Sequence, residues 1–224
     1  MAPVEPTLAR EAAAWAEGRL LIGVDEVGRG PLAGPVVAAA AVFPSGITPI
    51  PGVRDSKTLS AAQRRRLLAA ILSSVRQLAL GAASVAEIDR LNIRVATALA
   101  MHRAIRRLVA GLRGSAARSS GLPAIGGELR LLLDGLPVAE LGYPHEALVD
   151  GDAHCYTIAA AGIVAKSVRD GLMLRLSGRH PGYGWETNAG YGTAHHCDAL
   201  AALGPTRHHR RSFAPISQFF LPIG

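Results

Sequence analysis

The stretch 21–42, LIGVDEVGRGPLAGPVVAAAAV, limits what this chain can fold into more than any other. Two apolar runs flank the acidic pair Asp25 and Glu26, and Gly28, Arg29, Gly30 and Pro31 then interrupt the pattern. The second run is almost entirely Val and Ala, the composition of a strand covered on both faces. The stretch therefore reads as two antiparallel strands, at about 19–26 and 33–43, joined by a tight turn that carries charge. Successive side chains of a strand point to opposite faces. Asp25 and Glu26 can share one site only if the strand ends or twists sharply there, and the glycines downstream permit such a bend. An Asp-Glu pair ahead of a glycine-rich turn is equally compatible with plain solvation, so the rest of the chain has to decide.

Local patterns place the other elements. Residues 7–17 form an Ala-rich helix expected to pack through Leu8 and Trp15, and residues 44–52 form a loop by proline and glycine density. Ser60 with Gln63, and Ser84 with Glu87, have capping-box spacing. They start a helix over 61–73 and a short one after 84, with a third strand at 76–84 between. Asn92 caps a longer helix over 93–110. Arg64, Arg65 and Arg66 fan around the helix axis and are expected to form a solvated face. The low-complexity stretch 111–127, GLRGSAARSSGLPAIGG, cannot bury enough apolar surface to order itself, which predicts a mobile loop.

Strands at 128–133 and 146–149 follow, each running into aspartates. Residues 155–177 read as a long helix, 180–193 as an irregular glycine-studded surface and 194–203 as a further helix. The tail carries His209-Arg210-Arg211, which either binds a nucleic-acid backbone or pins the tail, and then an apolar end that should pack onto the body. Long helical crossovers make the later strands parallel to the first. The expected fold is α/β, a mixed five-stranded sheet with its second strand antiparallel. Helices flank it, residues 1–18 and about 171–224 are helical portions, and residues 1–224 make one domain.

The chain has 224 residues, with 24 Lys and Arg against 17 Asp and Glu, a net charge of +7. That excess favours a polyanionic partner, nucleic acid first. Cys155 and Cys197 have no framework spacing, which suits reduced thiols in a cytoplasm. The N-terminal stretch lacks the pattern of a secretory signal, and the apolar run 158–165 is too short to span a membrane. A cytoplasmic protein without membrane contact is expected, and a monomer, since nothing suggests an obligate interface.

Four carboxylates stand where chemistry is plausible: Asp25 and Glu26 on the first strand, Asp134 at the end of the fourth, and Asp152 after the fifth. In open α/β sheets the working site lies beyond the carboxyl ends of the parallel strands. Such a cluster is unfavourable unless cations fill it, and hard oxygen ligands select Mg²⁺ or Mn²⁺ over zinc. Two such ions a few ångströms apart activate a water and stabilise the leaving oxygen of a phosphodiester. Asp170 falls outside this set. On a continuous helix its 18-residue separation from Asp152 spans about 27 Å, so a structural role beside a neighbouring arginine is expected. His154-Cys155 and His195-His196-Cys197 are zinc-ligand types without zinc-site spacing, and no G-x-S-x-G elbow supports a serine triad.

Six segments in order carry a resemblance to a known family: GVDEVGRGPLAGPVVAAAAV at 23–42, DSKTLS at 55–60, LLDG at 132–135, GDAHCYTIAAAGIVAKSVRD at 151–170, NAGYGTAHH at 188–196 and GPTRHHRRSF at 204–213. From about residue 20 to 216 the chain resembles bacterial ribonuclease HII, the type 2 ribonuclease H. The resemblance implies a ribonuclease H-like fold and endonucleolytic cleavage of RNA within duplexes, including single ribonucleotides embedded in DNA. It implies Asp25, Glu26, Asp134 and Asp152 as metal-binding catalytic carboxylates. It also implies that Gly28-Arg29-Gly30 contacts the ribonucleotide and its flanking phosphates, and that Tyr191 checks the sugar at the RNA-to-DNA junction. Arg29 and Lys57 are plausible phosphate contacts, and Lys166 is expected to be structural. Three positions depart from the pattern: Asp150 where a basic residue is usual, Gly162 in place of a serine, and a longer loop at 111–127. Two other readings stay open, a nuclease of the same fold that cuts DNA and a silent nucleic-acid-binding module.

Overall fold

A computed structural model describes residues 5–116 and 127–220. Among them, β1 (Leu20–Val27), β2 (Val36–Val42), β3 (Gln77–Ala83), β4 (Leu129–Asp134) and β5 (Glu146–Leu148) form one sheet in the order β3-β2-β1-β4-β5. β2 is antiparallel to both β1 and β3, whereas β4 is parallel to β1 and β5 to β4. The expected mixed sheet with one reversed strand is thus the observed one. The connection between β1 and β2 is not a tight turn, however. Residues 28–35 form a wide loop whose Leu32 and Ala33 amides donate to Gly190 O and whose Ala33 pairs with His209. Distant segments hold it, where a hairpin would rely on its own ladder.

Alternation along the strands sorts the core into two layers. Ile22 and Val24 of β1, with Val36, Ala38, Ala40 and Val42 of β2, face α4 (Ile93–Ala116). Ala39, Ala41 and Phe43 face the other side, where α6 (Tyr156–Arg179) and α2 (Ala61–Ser74) pack. Both capping boxes are present: Ser60 and Gln63 open α2, and Ser84 and Glu87 open α3 (Val85–Leu91). Asn92 accepts from the Arg94 and Val95 amides and so starts α4. That helix runs past 110 to Ala116 because Leu112 buries itself in the core, so the first part of the expected loop is helical. The rest of that stretch, 117–126, lies outside the described residues.

The first helix, α1 (Ala9–Ala16), buries Glu11 and Ala14, while Trp15 stays half-exposed. Glu11 Oε1 accepts from Thr157 N at 2.8 Å and Thr157 Oγ1 at 2.7 Å, and so satisfies donors at the start of α6. Near the other end of α6, Met173 joins Leu32, Ala33, Tyr183, Trp185, Leu200 and Ile216 in a third apolar cluster. α7 (Trp185–Asn188), α8 (Ala194–Leu203) and α9 (Ala214–Ser217) are the C-terminal helical portion. Among the described residues no helix is long and apolar enough to cross a membrane.

Candidate active site

Strand parity decides which acids meet. Asp25 leaves β1 on the α6 side, as does Asp134 at the end of β4. The pairing of Val24 with Leu133 brings the two level. The Asp134 carboxylate accepts from Gly151 N at 2.7 Å, which ties the end of β4 to the start of α5 (Gly151–His154), where Asp152 sits in the first turn. Asp25, Asp134 and Asp152 each bring a carboxylate oxygen within 4.8 Å of the others. The separate strands and the short helix thus build one acidic cluster.

Glu26 is not part of that group. Pairing remains regular through Val27, so β1 does not bend at Glu26, whose side chain leaves from the α4 face. Its carboxylate pairs with Arg29 at 3.2 Å. Burial raises its pKa, Arg29 opposes the shift, and Asp134 adds to it, which places Glu26 at the rim of the cluster. Asp25 is 6% exposed. Burial and then repulsion from Glu26, Asp134 and Asp152 raise its pKa well above the ordinary carboxylate range. Burial first, then Asp134 and Asp55, push Asp152 up to about 6. Acids crowded this way, without histidine or cysteine among them, form a hard-oxygen donor set that fits a divalent Mg²⁺ or Mn²⁺.

Asp55 is a site residue that sequence reasoning missed. It lies close enough to Asp152 to raise that carboxyl's pKa, and its Oδ1 accepts from Lys57 N at 2.8 Å in the turn Ser56–Thr58. Burial alone would lower the Lys57 pKa, yet Asp55, Asp152, Asp25 and Asp134 together raise it. The Lys57 turn is fixed by Arg64, which donates to Ser56 O at 3.2 Å and Leu59 O at 2.5 Å and pairs with Asp170 at 3.0 Å. Arg64 is therefore no solvated arginine, although Arg65 and Arg66 are exposed. Asp170 takes the structural place expected for it, and Lys166 pairs with it at 2.8 Å. A cleft of about 620 Å³ continues from Lys57 past Arg64 and Lys166 to Thr187.

Two departures have local explanations. A Cβ on Gly162 would overlap Asp25 Oδ2, so the glycine gives the carboxylate its place against α6. Asp150 adopts a left-handed conformation, φ +51°, and is exposed, so its charge faces solvent.

Across from the acids, the 28–35 loop meets the segment around Tyr191. A methyl group on Gly30 would lie 3.7 Å from Tyr191 Cε1, and Tyr191 is 43% exposed. Gly28 has φ +97°, and a Cβ there would strike the Arg169 side chain. Behind Tyr191 lies a buried histidine relay. Thr206 N donates to His209 Nδ1 at 2.8 Å, so the His209 proton is on Nε2. His209 Nε2 and Trp185 Nε1, each 3.1 Å away, donate to His196 Nε2. His196 Nδ1 then donates to Tyr191 O at 2.8 Å. His196 is thereby committed to hydrogen bonds, and Cys155 is buried with its thiol on Glu11.

Comparison with known proteins identifies the family and the fold. A family model described as Ribonuclease HII matches residues 22–216. The chain is 49% identical over 216 residues to Ribonuclease HII of Synechococcus sp. strain JA-3-3Ab, covering 95% of this chain and 90% of that one. It is 51% identical over 214 residues to the Cereibacter sphaeroides (strain KD131 / KCTC 12085) protein of the same name, covering 94% and 92%. Among solved structures it is similar to Bst-RNase HIII in complex with Mn²⁺, with a TM-score of 0.68, 22% identity, and 94% of this chain and 72% of that one covered. The acidic cluster at the ends of the central strands β1 and β4 thus sits in a ribonuclease H-type fold, and the chain belongs to the ribonuclease HII family of nucleases.

Proposed function

We propose that this chain is an endoribonuclease that cuts the RNA strand of RNA-DNA hybrids and single ribonucleotides embedded in duplex DNA, using two divalent ions. The observation that carries the reading is the juxtaposition of three carboxylates within 4.8 Å with a glycine loop packed against an exposed tyrosine. Asp25, Asp134 and Asp152, with Glu26 at the rim, would hold Mg²⁺ or Mn²⁺. When bound, such ions offset the acids' repulsion, favour ionisation of an attacking water and stabilise the leaving oxygen. The Mn²⁺ complex of Bst-RNase HIII, a protein of the same fold, supports a divalent ion here.

The chain's own groups orient the substrate. Asp134 is fixed by the Gly151 amide, and Lys57 is a cation beside the acids, suited to a phosphate oxygen. Gly28 to Gly30 admit the backbone of the ribonucleotide, and Tyr191 packs on its sugar, where the 2′-OH distinguishes RNA from DNA. Water attacks the phosphorus on the 5′ side of the ribonucleotide, a new P–O bond forms, and the bond to the preceding 3′ oxygen breaks. The products are a 3′-hydroxyl and a 5′-phosphate. We further propose that residues 1–224 act as one catalytic domain, as a cytoplasmic monomer.

The test is a duplex carrying one internal ribonucleotide, incubated with Mg²⁺ or Mn²⁺. Cleavage 5′ to the ribonucleotide by wild type and none by Asp25→Asn is the expected result. An intact duplex with both proteins overturns the reading, and equal cleavage of an all-DNA duplex replaces it with that of a DNA nuclease.

A further inference from the structure

Arg169 and Arg210 are each 0% exposed. Neither takes part in an ion pair among the described residues. Both spend their donors on backbone carbonyls. Arg210 Nη2 donates to Gly28 O at 2.5 Å and Gly34 O at 2.8 Å, Nη1 to Arg29 O at 2.7 Å, and Nε to Gly34 O at 3.0 Å. Arg169 donates from Nε to Pro35 O at 3.0 Å, from Nη2 to Ala33 O at 3.0 Å, and from Nη1 to Ala189 O at 2.9 Å. One guanidinium therefore seats the glycine loop, and the other fastens it to the segment that carries Tyr191.

Buried charge of this kind is costly unless something compensates it. Burial, then mutual repulsion, lower the Arg210 pKa to about 9, and burial lowers that of Arg169. A purely structural need for carbonyl donors does not require two cations. In a trans peptide the carbonyl and the following N–H point in opposite directions, and the described residues contain no cis bond. With the Gly28 and Arg29 carbonyls drawn inward, the Arg29 and Gly30 amides point away from the guanidinium. Neither amide has a hydrogen-bond partner among the described residues. Two outward N–H groups backed by two buried cations favour an anion.

We infer that Arg210 and Arg169 are positioning residues for the cleavage reaction, a clasp that aims the Arg29 and Gly30 amides at a phosphate of the ribonucleotide-bearing strand and locks Tyr191 in register with them. This rests on the function proposed above and names residues that act there without touching the substrate. Lysine keeps the charge but cannot reach several carbonyls at once. Arg210→Lys and Arg169→Lys separate charge from geometry.

Both variants are compared with Met101→Ala, a core change on the α4 side, below the melting temperature of each. For Arg210→Lys, kcat/KM on a duplex with one ribonucleotide is expected to fall at least ~10-fold, mainly through KM. The core variant should keep the wild-type value per folded molecule, and the Mg²⁺-induced rise in melting temperature should persist in Arg210→Lys. A loss no greater than that of the core variant overturns the clasp. Amide ¹⁵N order parameters of Arg29 and Gly30, measured without substrate, do not depend on activity. They should fall from about 0.85 towards 0.6 or below in Arg210→Lys. Unchanged values overturn the clasp, whereas mobile amides in a protein whose wild type cuts no duplex would overturn the proposed function, and with it the clasp's part in cleavage, and leave only its hold on the loop.

Discussion

The carboxylate of Asp25 lies against the backbone of Gly162, so close that no side chain on α6 fits between them. Gly162→Ala must therefore turn Asp25 aside, because the tip of a side chain yields more easily than a packed helix. The substitution favours the helix by about 1 kcal/mol, so stability should hold or rise. The Mg²⁺ concentration for half-maximal cleavage should rise about tenfold, the scale of an altered ligand environment. Metal titrations of the activity check this, and an unchanged requirement would mean that Asp25 has room elsewhere.

The acids oppose folding when no cation is present. The folded-state pKa of Asp152, about 6, exceeds its ordinary 3.8. The native state thus binds the extra proton between those values, and stability is lost as pH rises through that window. Asp152→Asn should be more stable than wild type at pH 7 without divalent ions, by an amount on the order of 1–2 kcal/mol, and so melt higher, but no more stable at pH 3.5. Added Mg²⁺ should stabilise wild type and not the variant. Melting curves at the two pH values, with and without Mg²⁺, supply the comparison.

Histidine works in the opposite direction. Burial, reinforced by His196, lowers the His209 pKa from 6.5 to about 4. The unfolded chain binds more protons between those values, so stability is lost as pH falls from about 6.5 towards 4. His209→Asn keeps an oxygen for the Thr206 amide and does not titrate. Its stability at pH 7 should drop by about 1 kcal/mol for the lost donor to His196, and the difference from wild type should shrink or reverse near pH 4.5. Denaturant unfolding of the two proteins at each pH cancels the carboxylate contribution common to both.

Arg64 couples the ion pair at Asp170 to the turn that carries Lys57. Arg64→Met keeps the bulk of the stem and removes the donors to Ser56 O and Leu59 O. The partly exposed ion pair itself should contribute at most about 1 kcal/mol to stability. Cleavage should fall more than stability suggests, with KM rising ~3- to 10-fold as the turn loses its fixed place. A KM equal to that of wild type would show that the turn is held without Arg64.

What could be read in advance was mostly local. Ser60, Gln63, Ser84, Glu87 and Asn92 act within a few residues of themselves, and all cap where their spacing predicts. The one reversed strand followed from a short connection set against long crossovers. Asp25 and Glu26 show how far alternation reaches. It predicts opposite faces unless the strand bends, the glycines downstream permit a bend, and the strand stays regular through Val27. The places of Asp55, Arg64 and Arg210 were not legible. Each depends on a partner far along the chain, and nothing around Arg210 reveals that Gly28 lies above it. The low-complexity stretch misled for a related reason, since its composition hides Leu112, one apolar residue at the right helical position.

Gly28 and Arg210 are 182 residues apart. At a synthesis rate of ~5–20 residues per second, the glycine loop leaves the ribosome about 10 to 40 seconds before the side chain that seats it. A nascent chain can pair β1 with β2 and then β4, and so gather its aspartates, while that loop still lacks its support. Order of synthesis thus separates the gathering of the aspartates from the seating of the glycine loop, which waits for Arg210 to donate to the Gly28 carbonyl.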